Sequence, residues 1–298
     1  MADGSSLQPT DADAAGGVPD AAALRAAVAG IVFSGFGPLM VRNSPVDAAA
    51  TAFWRILFAL PVAMWLTRSE APMPARAKLL SMAAGLLIAG DLVFWNRAVV
   101  STTILEATLL GTIYPLPVAL GAWLIFGQKI GRWVAIGGVL AFVGLVVMTI
   151  GPSAGQSSVE GNFYAIVAAL FYAGCMLISG RLCQAYPSIT VTAWMFVGAA
   201  LSTLPLAVFE PRFLPADAGD WGYMAAYGAL TLVAYLLINR GLGKLPTALV
   251  AVLGYGQPVI ATLLAVPLLG EVPGVIDLLG GAVVVAGLFL ATRPAATA

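Results

Sequence analysis

"NRAVVSTTILEATLLGTIYPLPVALGAWLIFGQ", residues 96–128, decides the fold, because residues 239–271 repeat its pattern as "NRGLGKLPTALVAVLGYGQPVIATLLAVPLLGE". The two stretches align without a gap at a shift of 143 residues, the separation of Asn96 from Asn239. Single glycine matches are expected in a chain with 33 glycines, but an ungapped series indicates an internal repeat. The matching positions are Asn96-Arg97 with Asn239-Arg240, Gly111 with Gly254, Pro115 with Pro258, Gly127 with Gly270, Gly131 with Gly274, Gly137-Gly138 with Gly280-Gly281, and Gly144-Leu145 with Gly287-Leu288.

The composition places the chain in a lipid bilayer. Of its 298 residues, 60% are hydrophobic and 9% are charged, whereas soluble domains carry roughly 25% charged residues. So few polar side chains cannot cover a soluble globule, so we expect lipid to cover it. The net charge is zero, and no nucleic acid partner is expected.

Ten apolar segments are long enough to cross the hydrocarbon core as helices, which takes about 20 residues each. Short turns with Gly, Pro, Ser and Asp separate them. Helices are expected because each satisfies its own backbone hydrogen bonds in lipid. The predicted spans are 23–41, 47–66, 78–99, 103–126, 133–150, 160–181, 190–209, 220–240, 247–268 and 274–292.

The repeat unit holds five spans, and five is odd, so the second copy must run through the membrane in the opposite direction. We therefore predict an all-α integral membrane protein of ten transmembrane helices, arranged as two inverted five-helix repeats at residues 23–150 and 160–292. Residues 1–22 are predicted to be a disordered cytoplasmic tail. Inverted repeats are typical of secondary transporters, which bind substrate near the bilayer midplane.

The distribution of Lys and Arg predicts the orientation. With the N-terminus inside, ten Lys and Arg residues fall on the inner face, three on the outer face, and Arg55 within a span. This positive-inside bias predicts that both termini are cytoplasmic.

Three spans contain glycine and proline where a helix would break. Pro115 and Pro258 lie within spans four and nine, and each is expected to free the carbonyl four residues earlier, on Gly111 and Gly254. Packing alone could require such kinks, but their occurrence in both repeats favours hinges. Span one has a similar sequence at 34–40, so the predicted hinge residues are Gly37, Pro38, Gly111, Pro115, Gly254 and Pro258.

Among the charged residues of the predicted spans, three stand out as candidates: Arg55, Asp91 and Glu106. Charge inside a bilayer is costly and needs a partner or water. Arg55 and Asp91 lie at similar depth and could form an ion pair; alternatively, Arg55 could bind a substrate carboxylate and Asp91 could titrate. Glu106 suits the start of span four. The chain has no histidine, so a coupled proton would need a carboxylate, and uncoupled export fits equally well.

Polar and aromatic residues near the kinks are the candidates for substrate contact, because aromatic faces can stack on flat apolar groups. Tyr and Trp could instead only anchor at the membrane interface. The predicted substrate-binding residues are Ser34, Asp91, Trp95, Asn96, Tyr114, Tyr172, Tyr235, Asn239, Tyr255 and Gln257. No catalytic residue, metal site or cofactor is predicted.

The chain resembles the drug/metabolite transporter superfamily, in its EamA-type ten-span branch. The resemblance rests on "FWRILFA" in span two and on the two stretches quoted above, and it covers roughly residues 24–292. One departure is Gly127-Gln128, where the family pattern has Gly-Glu, as at Gly270-Glu271. Within the branch the chain is most similar to bacterial exporters of aromatic amino acids.

The resemblance implies an inner-membrane secondary transporter that exports aromatic or other apolar amino acids and related metabolites by alternating access. The expected partners are the lipid bilayer and small zwitterionic amino acids or metabolites, and a monomer is expected. An exchanger of phosphorylated sugars or nucleotide sugars is an alternative, but two phosphate charges call for several cationic residues within the spans. A membrane enzyme is the remaining alternative, although the lack of histidine removes most catalytic and metal sites.

Overall fold

The computed structural model describes residues 19–148, 158–269 and 274–293, without the side chains of 104, 105 and 265–269. Within these ranges all regular structure is helical. A 3-10 turn at Thr67–Ser69 follows the third helix. The α-helices are α1 (Ala21–Ser34), α2 (Gly37–Arg42), α3 (Ala48–Leu66), α4 (Ala75–Ser101), α5 (Ile104–Gly111), α6 (Pro115–Phe126), α7 (Arg132–Met148), α8 (Val159–Ala185), α9 (Ser188–Ala207), α10 (Ala218–Leu242), α11 (Thr247–Leu253), α12 (Gly256–Leu269) and α13 (Val275–Ala291).

The helices fall where apolar spans were predicted. Among the described residues, eight stretches are long and apolar enough to cross a membrane. The two shorter apolar helices are α7 and α13, with 17 residues each. Their first and last residues correspond to each other under the 143-residue shift. The first span begins at Ala21, two residues before the predicted boundary, and residues 1–18 of the predicted tail lie outside the described ranges.

Three spans are broken at the predicted glycines and prolines. The breaks separate α1 from α2, α5 from α6, and α11 from α12. A proline has no backbone N–H, so an α-helix cannot continue its hydrogen bonds through it. The prediction that the Gly254 carbonyl accepts no hydrogen bond is wrong, because the Gln257 N–H donates to it at 3.0 Å.

Equivalent helices of the two halves run in opposite directions. The start of α3 lies beside the end of α9, where the Ala50 N–H donates to the Glu210 carboxylate at 2.7 Å. Asp47, next to α3, forms an ion pair at 2.7 Å with Arg212, which follows α9. Because α3 and α9 are spans two and seven, this antiparallel packing shows that the repeats are inverted.

The helices α7 and α13 pack through glycines that the repeat shares. A Cβ on Gly137 would collide with the Gly287 carbonyl, and a Cβ on Gly144 would lie 2.7 Å from the Gly280 carbonyl. The shift of 143 residues converts each pair into the other. Small residues let helix backbones approach closely in lipid, which explains why these glycines recur.

The ends of the bundle are named here after two residues outside the helices. At the Asp20 end, α1 begins and α10 ends. The N–H groups of Ala23 and Ala22 lower the pKa of Asp20. Lys244 and Arg240, at the end of α10, lie near enough to lower this pKa further. At the Asp47 end, α3 begins and α4 ends, with Arg97 3.9 Å from Glu210. The repeated Asn-Arg pairs therefore lie at opposite ends.

The loop between the fourth and fifth spans of the first half begins with a glycine. In the first half, Gly127 ends α6 with a left-handed φ of 66°, which favours glycine. Its equivalent, Gly270, and the following Glu271 lie outside the described residues.

Candidate binding cavity

A cavity lies where the broken spans meet α3, α4, α8 and α10. Its empty space, counted together with the part open to solvent, is about 770 Å³. Tyr172, the central residue of α8, lines it, so the cavity reaches the middle of the bundle. The predicted residues on its wall are Ser34, Gly37, Pro38, Arg55, Asp91, Trp95, Gly111, Tyr114, Tyr172, Tyr235 and Gln257.

Arg55 supplies the positive charge of the cavity. Its side chain comes from α3 and is 4% exposed. One guanidinium nitrogen donates to the Tyr227 hydroxyl, and the guanidinium carbon lies 4.9 Å from the centre of the Tyr227 ring. The buried Nε of Arg55 has no hydrogen-bond partner.

Asp91 supplies the negative charge, from α4. The proposed ion pair is absent, because among the described residues no oxygen of Asp91 lies within 4.0 Å of an Arg55 nitrogen. Arg55 is instead held by Tyr227, a partner on α10. The two opposite charges therefore face the same cavity without neutralising each other by contact.

Aromatic rings form much of the remaining wall. Tyr114 and Tyr172 pack edge to face with their centres 4.6 Å apart. Tyr235 is fixed edge to face against Phe196, with ring centres 5.7 Å apart. Edge-to-face packing orients a ring, so these phenols are held in place beside the cavity.

Two glycines at the breaks make room for Trp95. A Cβ on Gly37 would lie 3.2 Å from the Trp95 ring, and one on Gly111 would lie 3.1 Å from it. Trp95 is four residues past Asp91 and so lies on the same face of α4. The breaks in spans one and four therefore position the indole against the cavity.

The breaks in spans one and nine are joined by a hydrogen bond. The Gln257 amide donates to the Ser34 hydroxyl at 2.5 Å. The Ser34 hydroxyl donates in turn to the carbonyl of Ile31 at 2.8 Å. Both side chains line the cavity.

Several predicted residues lie outside the cavity lining. Asn96 donates to the carbonyl of Ala48 at the start of α3, at 2.8 Å. Asn239 donates to the Thr192 hydroxyl near the start of α9, also at 2.8 Å. Each Asn thus connects the end of one span to the start of a neighbouring span. The two connections are equivalent under the inverted repeat.

The others outside the lining are Glu106, Tyr255, Pro115, Gly254 and Pro258. Glu106 lies in the first turn of α5 and accepts a hydrogen bond from the Thr102 hydroxyl at 2.7 Å. Tyr255 is 1% exposed and packs near Phe142, with ring centres 6.1 Å apart. The two prolines and Gly254 lie at the breaks in spans four and nine.

Sequence reasoning missed several lining residues, most of them on α10. Tyr227, Thr231, Ala234 and Ile238 recur at three- and four-residue spacing, which places them on one helical face with Tyr235 beside them. That spacing could have identified them from Tyr235 alone. The remaining missed residues are Phe33, Leu92, Thr108, Thr112 and Leu230.

The cavity can hold a small molecule that carries both charges and an apolar part. Arg and Asp can bind opposite charges, while the aromatic rings can pack against a flat or aliphatic group. Binding sites for small molecules typically combine a mostly apolar wall with a few placed polar groups.

Comparison with known families matches the chain twice to the EamA-like transporter family, over residues 21–150 and 159–293. A solved crystal structure superimposes with a TM-score of 0.75 over 93% of this chain and 99% of that one, at 21% identity. The likeness at this identity concerns the fold.

The curated proteins that are similar in sequence include the following three. The chain is 23% identical to the pseudopaline exporter CntI of Pseudomonas aeruginosa, over 91% of this chain and 95% of CntI. It is 28% identical to the aromatic amino acid exporter YddG of Ancylobacter novellus, over 54% of this chain and 57% of YddG. It is 24% identical to the uncharacterized transporter YetK of Bacillus subtilis, over 63% of this chain and 60% of YetK.

Proposed function

Because this chain belongs to the EamA-like transporter family, we propose that it exports amino acids with aromatic or other apolar side chains, and related metabolites, by alternating access. The proposal places it in the bacterial inner membrane with both termini in the cytoplasm. The exporter names of CntI and YddG support the direction of transport. The excess of Lys and Arg at the Asp20 end supports the orientation.

The observation that carries the proposal is the composition of the cavity wall. One Arg and one Asp face the cavity together with Trp95 and four tyrosines. The wall therefore offers no net charge and a large aromatic surface. A neutral zwitterion with an apolar side chain matches both properties, whereas a phosphorylated sugar would leave its excess negative charge unmatched.

The broken spans support alternating access. Each repeat contributes a break at the cavity, in spans four and nine, and span one adds a third. Broken helices at the interface of inverted repeats allow one half to rock against the other around a fixed site. The hinge role of Gly37, Pro38, Gly111, Pro115, Gly254 and Pro258 is part of this proposal.

Efflux from proteoliposomes tests the function. Vesicles containing the purified protein would be loaded with radiolabelled phenylalanine, tryptophan, leucine, glutamate or lysine, with and without a proton gradient. We expect faster efflux of the first three than of glutamate and lysine, relative to protein-free vesicles. If none of the five amino acids moves in either condition, the proposal is wrong. A dependence on the gradient would indicate proton coupling through a carboxylate.

A further inference from the structure

We propose that Arg55 and Asp91 bind the two charged ends of one substrate molecule, the carboxylate at Arg55 and the ammonium at Asp91. This inference rests on the proposed function and specifies the substrate class: free α-amino acids whose amino and carboxyl groups are both unmodified. The aromatic wall would then receive the side chain.

Arg55 is prepared to receive an anion. A guanidinium has five N–H donors and no acceptor, and Tyr227 accepts from one nitrogen while Nε remains buried without a partner. The side chain is 96% buried, and a charge at this depth in a membrane protein needs compensation. A carboxylate can accept two parallel hydrogen bonds from a guanidinium, and Nε provides one of the donors.

Asp91 is the matching unpaired carboxyl group. Its carboxylate lines the cavity, and in the described part of the chain it has neither a hydrogen-bond nor an ion-pair partner. A carboxylate only accepts hydrogen bonds when ionised, so a ligand ammonium group supplies the donors that the protein does not.

Both residues line the cavity, and they form no ion pair with each other. If they paired directly, each would satisfy the other and the site would be closed to a charged ligand. Tyr227 holds Arg55 instead, and its ring lies beside the guanidinium. A bound zwitterion would then compensate both residues.

The repeat indicates that the chain has a single such site. Arg55 and Asp91 have Gly198 and Ala234 as their equivalents in the second half. Gly198 and Arg55 also take equivalent packing positions, since Gly198 packs against Gly85 and Arg55 packs against Gly228. The scaffold is symmetric, but its two charges occur once, so one substrate binds in one orientation.

Competition against phenylalanine counterflow tests the inference on the intact protein in proteoliposomes. Phenethylamine lacks the carboxylate, 3-phenylpropanoate lacks the ammonium, and both keep the aromatic ring. We expect each to compete at least about tenfold more weakly than phenylalanine, because one protein charge stays unpaired in its complex. Competition by either compound within about threefold of phenylalanine would overturn the inference while leaving amino acid export intact.

Two variants assign the charges to the residues. Arg55→Gln should abolish the preference for phenylalanine over phenethylamine, and Asp91→Asn should abolish the preference over 3-phenylpropanoate. Arg212→Gln, which removes an exposed cation at the Asp47 end, serves as the control and should retain both preferences. A variant that changes the wrong preference contradicts the assignment. If a variant does not fold, the competition series on the unmodified protein still decides. If phenylalanine shows no counterflow at all, the inference and the export of aromatic amino acids fail together.

Discussion

The hydroxyl of Tyr114, at the break in span four, lies directly against Gly254, at the break in span nine. A Cβ on residue 254 would collide with that hydroxyl. The contact joins the two breaks that the inverted repeat makes equivalent. Residue 254 therefore has to be glycine because the Tyr114 hydroxyl occupies the place of a Cβ atom, whatever backbone freedom glycine also provides.

Gly254→Ala should lower the melting temperature of the detergent-purified protein, since forcing extra volume into a packed site costs about 1–3 kcal/mol. The double variant with Tyr114→Phe removes the colliding oxygen and should recover part of the loss. Gly222→Ala is the control, because a Cβ there meets nothing within 4 Å. Equal melting temperatures for Gly254→Ala and Gly222→Ala would contradict the close contact.

The Tyr114–Gly254 contact has an equivalent that the structure does not form. The 143-residue shift converts it into a contact of Gln257 with Gly111. Gln257 instead bonds Ser34, and Trp95 occupies the space next to Gly111. Because the two halves are equivalent, the opposite state is obtained by giving each half the conformation of the other. In that state we expect Gln257 to approach Gly111 when Tyr114 leaves Gly254.

Cysteine cross-linking can detect this exchange. The only native cysteines, Cys175 and Cys183, are both buried and would first be replaced by alanine. Paired cysteines at 114 and 254 should then cross-link in the state described here and block transport. Paired cysteines at 111 and 257 should cross-link only in the exchanged state, so their yield should fall when the yield of the first pair rises. Yields that rise and fall together would contradict the exchange.

The sequence predicted the scaffold because its signals are local or periodic. Apolar length located the spans, and the glycine and proline pairs located the breaks in spans four and nine. The four-residue spacing of Asp91 and Trp95 in the sequence is enough to place both on one face of α4. The capture of Arg55 by Tyr227 was not predictable, because it depends on how closely α10 approaches α3. Gly228, next to Tyr227, permits that approach: a Cβ there would lie 3.0 Å from the Arg55 carbonyl. Such a pairing between distant helices leaves no periodic signal.

The glycine contacts between α7 and α13 give a prediction with an adjacent control. Gly280→Ala should destabilise the protein, because its Cβ would lie 2.7 Å from the Gly144 carbonyl, and backbone cannot move aside easily. Gly281→Ala, one residue later on the same helix, meets only Val259 at 3.7 Å or more and should be tolerated. The two variants would be compared by thermal unfolding in detergent, with the remaining folded protein measured by size-exclusion chromatography. Equal stability of the two variants would show that these helices do not pack through their glycines.

Asn96 and Asn239 were candidates for substrate contact, but their hydrogen bonds connect neighbouring helices. We expect Asn96→Ala and Asn239→Ala to lower the free energy of unfolding, each by about 1–3 kcal/mol, because the acceptor in the neighbouring helix loses its donor. The Ala48 carbonyl and the Thr192 hydroxyl are those partners. Since neither Asn lines the cavity, the KM for transport should stay within about twofold of the unmodified protein, a change worth under 1 kcal/mol.

Gln257→Ala provides the contrasting result in the same assay. Its amide lines the cavity and holds Ser34 rather than a helix start, so its loss should change KM more than thermal stability. The two asparagines are equivalent under the repeat, so they should also behave alike. If Asn96→Ala or Asn239→Ala raised KM strongly at unchanged stability, that Asn would contact substrate in a state other than the one described. Because the two residues lie at opposite ends, an effect of only one of them would identify the end at which substrate is bound.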